Sequence, residues 1–179
     1  AGINYSDSAI ADSNYVINKE SEILQIVEEL KSSNWYVQGL AIGKLHTIDY
    51  EDASENDLFV LGRNIYQAAC GNCFSCIDFI SVFASVDYIP ASAKEHIVNG
   101  MAFEIYYDKN GTLRKSLKSD MAEEVIKILE TEPFTQSKQF ISTRLLNETP
   151  IVPYIPGQND KVRADVYVTK YPEGYALSD

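Results

Sequence analysis

The sequence predicts a mainly α fold of stacked antiparallel helical hairpins, with a small β-hairpin at about 101–117 and a C-terminal strand at about 162–169. Three observations lead there. Apolar residues recur at helical spacing over most of 19–147, short polar breaks join the periodic segments in pairs, and a late stretch alternates strictly.

A chain of 179 residues with 45% hydrophobic side chains is about one domain. It can bury roughly 70% of the surface its unfolded form exposes, so it folds without staples. Residues 1–17 are rich in Ser, Asp and Asn and read as a polar arm; 18–179 reads as a single helical domain. In "NKESEILQIVEELKSS", Ile23, Leu24, Ile26, Val27 and Leu30 share one face while Glu20, Glu22, Glu28, Glu29 and Lys31 face away, which predicts an amphipathic helix with Asn18 as N-cap.

A break at Ser32-Ser33-Asn34 leads into "WYVQGLAIGKLHTI", apolar nearly all round and therefore predicted to be a more buried helix. Gly39 and Gly43 weaken it but let a neighbour approach closely. The acidic loop "DYEDASEND" precedes a third helix, "DLFVLGRNIYQAA", capped by Ser54 or Asp57. Gly71-Asn72 stops it, and the apolar segment "CFSCIDFISVFASV" follows up to Pro90.

Ser92 and Glu95 have capping-box spacing and predict a short helix ending at Gly100 as its C′ residue. Beyond it, Phe103, Ile105 and Tyr107 alternate and Asn110-Gly111 is a strong hairpin signal, so 101–117 reads as two strands rather than as more helix. Met121, Val125, Ile128 and Leu129 predict a further helix, and "TQSKQFISTRLLNE" another. "TPIVPYIPG" carries three prolines and must be extended, and "KVRADVYVT" alternates as a half-buried strand.

The stretch "SSNWYVQGLAIGKLHTI", a short turn into an aromatic, a valine and small and apolar residues at helical spacing, resembles the HEAT-type helical repeat. The usual Asp and Arg of that pattern are here Asn34 and Gln38. Over residues 19–147 at most, the resemblance implies a solenoid that binds protein and performs no chemistry of its own.

The composition excludes several classes. Fifteen basic against 26 acidic side chains give a net charge of −11, and no basic run exceeds Arg114-Lys115, which disfavours nucleic acid. No window is apolar enough to span a bilayer, so no membrane partner is expected. Phosphate-loop, dinucleotide, nucleophile-elbow and HExxH motifs are all missing, so no enzyme activity and no cofactor are expected.

The sharpest local feature is C-G-N-C-F-S-C, in which Cys70, Cys73 and Cys76 fall every third residue. Thiolates at this spacing could ligate zinc or an iron–sulfur cluster, with His46, His96 or a distant carboxylate as a fourth ligand, or could serve redox or nucleophilic chemistry. The spacing equally suits packing, since Cys73 and Cys76 are i, i+3 neighbours and Cys70 continues the Ala68-Ala69 small-residue seam. Packing is the favoured reading, and the metal or redox protein is the alternative.

An odd cysteine number within seven residues makes no disulfide framework, which favours a reducing compartment; cytoplasm, or a mature form whose signal has been removed, is expected. The leading expectation is a non-enzymatic protein-interaction module, an adaptor or immunity-type inhibitor, with an acidic surface for a basic protein partner; a homo-oligomer is also compatible. The surface should comprise Trp35, Tyr36, the acidic loop residues Asp49, Glu51, Asp52 and Glu55, and Tyr167 and Tyr171 of the tyrosine-rich tail.

Overall fold

The computed structural model describes residues 21–106, 121–129 and 170–176. They are mainly helical: α1 (Glu22–Leu30), α2 (Trp35–Gly43) extended by a 3-10 turn (Lys44–Thr47), and α3 (Glu55–Cys70). There follow α4 (Phe74–Val82) with its own 3-10 turn (Phe83–Ser85), α5 (Ala91–Tyr106), α6 (Met121–Leu129) and the short α7 (Pro172–Ala176).

Local chemistry sets these boundaries. Ser21 Oγ accepts from Leu24 N–H at 2.8 Å and donates to Asp57 Oδ2 at 2.7 Å, so the cap of α1 also ties it to α3. Asn34 caps α2 by accepting from Tyr36 N–H, and Ser54 caps α3 by accepting from Asp57 N–H. At the end of α3, Asn72 takes the left-handed conformation (φ 70°), and Cys73 N–H returns to the Ala68 carbonyl at 3.0 Å. The stop and turn expected at Gly71-Asn72 are therefore present.

The helices pack in two rows. α1 lies against α3 and α3 against α5, while α2 lies against α4 and α4 against α6; α1–α2, α3–α4 and α5–α6 close each pair. Buried Ile26, Leu30, Leu61, Ile65, Phe79 and Ile97 belong to one continuous core. At roughly 1.5–3 kcal/mol for each such side chain, burial of these faces is the main stabilising contribution.

Among the described helices the α3–α5 contact is the closest, and two glycines cause it. A Cβ on Gly62 would lie 1.8 Å from the Ile97 carbonyl oxygen, and one on Gly100 would lie 2.0 Å from the Phe59 carbonyl oxygen. Only hydrogen fits between these backbones. The contacts Glu55–His96 and Arg63–Glu104 climb both helices together, so α3 and α5 run parallel.

The described helices correct several expectations. Gly100 does not end a helix; it is the contact point inside α5, which begins at Ala91 directly behind Pro90 and runs to Tyr106. Residues 101–106 are consequently helical and not the first strand of a hairpin, because Met101, Ala102, Phe103 and Ile105 are all buried and a strand would turn alternate ones out. The rest of that hairpin, the arm at 1–17, the "TQSKQF" helix and the strand at 162–169 lie outside the described residues, whereas the N-cap of α1 is Ser21 and not the expected Asn18, because the Ser21 hydroxyl accepts the Leu24 N–H. Finally, α2 is not the more buried partner of α1: Ala41 is the one buried residue in it, since its neighbours cover only a single flank.

Candidate functional site

Among the described residues, the exposed large apolar side chains lie on the open flank of α2 and its neighbour α4: Trp35 (75% exposed), Tyr36 and Leu40 on α2, Phe74 (74%) and Val82 on α4. Their placement follows from the helix period. Tyr36 and Leu40 are i, i+4 neighbours, and Phe74 and Val82 lie two turns apart on one face. A Cβ on Gly39 would sit 3.2 Å from Ser75 Oγ, so two small residues draw α2 onto α4. Trp35 is one turn from Gly39 and Phe74 adjoins Ser75, so aromatics of both helices flank one crossing, each within about 6 Å of it along its axis. Trp35 and Tyr36 meet edge to face with centroids 6.1 Å apart.

The acidic residues expected beside them are elsewhere. Asp49, Glu51 and Asp52 are exposed in the turn beyond the 3-10 segment, where Tyr50 Oη donates to the Leu45 carbonyl and Asp49 Oδ1 accepts from Glu51 N–H. The length of α2 and its 3-10 turn separates this loop from Trp35 by about 20 Å. His46, an exposed residue at the same end, stacks on Tyr88 at 3.7 Å.

Glu55 belongs to a third place. His96 on α5 lies 3.4 Å from Glu55 Oε1 through Nε2 and 2.7 Å from Tyr171 Oη through Nδ1. Tyr171 is completely buried: its ring stacks on Phe59 at 4.2 Å and its hydroxyl accepts from Asn99 Nδ2 at 2.7 Å. The tautomer of the His96 ring sets which of Nδ1 and Tyr171 Oη donates in the bond between them. Burial raises the Tyr171 hydroxyl well above its ordinary pKa and lowers that of His96. Both groups are held neutral, which suits a clamp and not a nucleophile.

The same clamp continues one turn along. Arg63, 2% exposed, donates to Glu104 Oε1 through Nε (2.8 Å) and Nη2 (2.6 Å) and to the Gly174 carbonyl through Nη1 (3.2 Å), with its guanidinium 4.4 Å over Phe103. Gly174 N–H donates to Asn56 Oδ1 at 2.8 Å. Residues 170–176 are thus bound along α3, and Tyr171 is corrected from an expected surface residue to a buried anchor. Tyr167 lies outside the described residues.

The cysteines split. Cys70 is half-buried near the end of α3, while Cys73 and Cys76 are buried at the start of α4 with their sulfurs 2.7 Å apart. Cys73 is the N-cap of α4, and Cys76 N–H donates to its sulfur at 3.3 Å. Among the described residues, no group of three or more His, Cys, Asp or Glu side chains is arranged to hold a metal ion, and no helix is long and apolar enough to cross a membrane.

Sequence reasoning missed Leu40, Phe74 and Val82 because their helices read as apolar all round, with no polar stripe to show which side faces water. It missed the Arg63–Glu104 pair because the partners are 41 positions apart. An arginine inside the otherwise uncharged stretch "LFVLGRNIYQAA" was the available signal. No family model, no curated protein and no solved structure matches the chain.

Proposed function

We propose that the chain is a non-enzymatic protein-interaction module, an adaptor or immunity-type inhibitor, that binds through the α2/α4 edge. The observation that carries this reading is the exposure of Trp35, Tyr36, Leu40, Phe74 and Val82 on two adjacent helices. Scattered exposed apolar residues are ordinary, but aromatic ones gathered at one crossing are the usual anchors of a protein interface. Row-by-row packing of helix pairs supports a HEAT-like stack, which leaves such an edge open.

The partner is a protein segment with apolar side chains flanked by lysine or arginine. Charge complementarity argues for it: the chain carries −11, and Asp78 is exposed on α4 itself. The free cysteines fit a reducing compartment such as the cytoplasm.

Capture of partners from native extract should be compared between the wild-type chain and the Trp35→Ser/Phe74→Ser double variant. Loss of a stoichiometric protein in the variant, with emission of the single tryptophan shifting to shorter wavelength when that protein is added back to wild type, supports the reading. Recovery of the same proteins by both chains would contradict it. Recovery of only the chain itself, with a concentration-dependent mass in solution, would replace the basic partner by a second copy.

A further inference from the structure

We infer that Cys73 and Cys76, whose sulfurs are in direct contact, form a reversible disulfide by exchange with a small-molecule disulfide. Closing the bond from the observed 2.7 Å to a covalent length of about 2.05 Å needs less than one ångström of movement. Both sulfurs belong to the first turn of one helix, so closure asks nothing of the rest of the core.

Position divides the roles. Cys73 is the N-cap, its sulfur accepts the Cys76 N–H, and Gly71, Asn72 and Phe74 around it are exposed, so opening this turn alone exposes Cys73. Cys76 is fully buried on the core side; burial first, then the hydrogen bond shared with Cys73, push its thiol far up. Cys73 is therefore the attacking sulfur and Cys76 the resolving one.

The step balances as an exchange. The Cys73 thiol loses its proton to solvent and attacks one sulfur of the disulfide RSSR, forming a mixed disulfide and expelling RS⁻. The Cys76 thiol in turn gives up its proton, attacks Cys73 Sγ and expels the second RS⁻. The two thiolates recover the two protons as RSH; the protein dithiol is oxidised by two electrons and RSSR is reduced to two RSH. Because both attacks need a thiolate, oxidation quickens as pH rises.

The test uses the full chain equilibrated against mixtures of reduced and oxidised glutathione, quenched in acid, unfolded, alkylated and mapped by mass spectrometry. The expected result is a peptide that has lost two hydrogens, with Cys73 and Cys76 becoming unreactive together. Cys76→Ser should instead trap glutathione on Cys73. Alkylation of all three cysteines at every ratio, or a bond from either sulfur to Cys70, would overturn the inference; the wild-type map alone decides this if the variant fails to fold.

Discussion

The α3–α5 crossing and the α2–α4 crossing are built from the same device, small residues where two helices meet, yet they serve opposite ends. At the first, Gly62 and Gly100 press backbone on backbone, and a buried ion pair, a buried tyrosine and a stacked phenylalanine surround the contact. At the second, Gly39 meets a serine hydroxyl, Gly43 meets nothing within 4 Å, and the nearby aromatics point to water. A glycine marks a close approach only when the opposing atom cannot move. That distinction separates the part that holds the fold from the part left free to bind.

The comparison breaks most sharply if the tight crossing tolerates a methyl group. Gly62→Ala or Gly100→Ala drives a carbon into a carbonyl of the facing helix, and neither backbone can yield without parting α3 from α5. A loss of at least ~4 kcal/mol in urea unfolding is expected, above the usual range for overpacking. Arg63→Met should come next, at about 3 kcal/mol, because Glu104, 1% exposed, loses the two hydrogen bonds that Arg63 gives its Oε1. Adding Glu104→Leu should recover most of that loss, a sign reversal that an exposed pair such as Lys31–Glu28 would not show.

Docking of residues 170–176 gives a smaller and pH-dependent effect. Tyr171→Phe keeps the stacking on Phe59 but strands His96 Nδ1 and Asn99 Nδ2, at a cost of about 1–2 kcal/mol. His96 is held neutral with its pKa below the ordinary value of 6.5, first by burial, with Lys170 adding to the lowering and Glu55 and Glu95 opposing it. The unfolded chain thus takes up this proton first as pH falls. Stability from the site is complete above about pH 6.5 and declines below it, down to the folded-state pKa. The wild type should lose stability relative to His96→Asn across that window, as read from paired unfolding curves.

The smallest effect has the opposite sign. Gly43→Ala fills open space near the end of α2 and should stabilise by roughly 0.5–1 kcal/mol in thermal unfolding, whereas the same change at Gly62 strongly destabilises.

Much of this architecture was legible in the residues. Ser54, Asn34 and Gly71-Asn72 act through neighbours two to four positions away, so the starts of α2, α3 and α4 and the end of α3 follow from local sequence. Gly100 was misleading because a helix-stopping glycine and a helix-crossing glycine look alike until the opposing backbone is known. The surface was legible only in part. Trp35 and Tyr36 announced themselves by type, but Phe74 sits in an apolar run whose exposed side depends on what α4 packs against. Tyr171 looked like one more tail tyrosine, and its burial depends on His96 and Asn99, 75 and 72 positions away.

The division between a holding region and a binding region is tested most directly by equilibrium unfolding of the Trp35→Ser/Phe74→Ser double variant. If these aromatics serve recognition, removing them from water-exposed positions leaves the unfolding free energy within ~0.5 kcal/mol of wild type. A loss of about 2 kcal/mol or more would show that they are part of the packed interior, and would contradict the reading of the α2/α4 edge as an open surface.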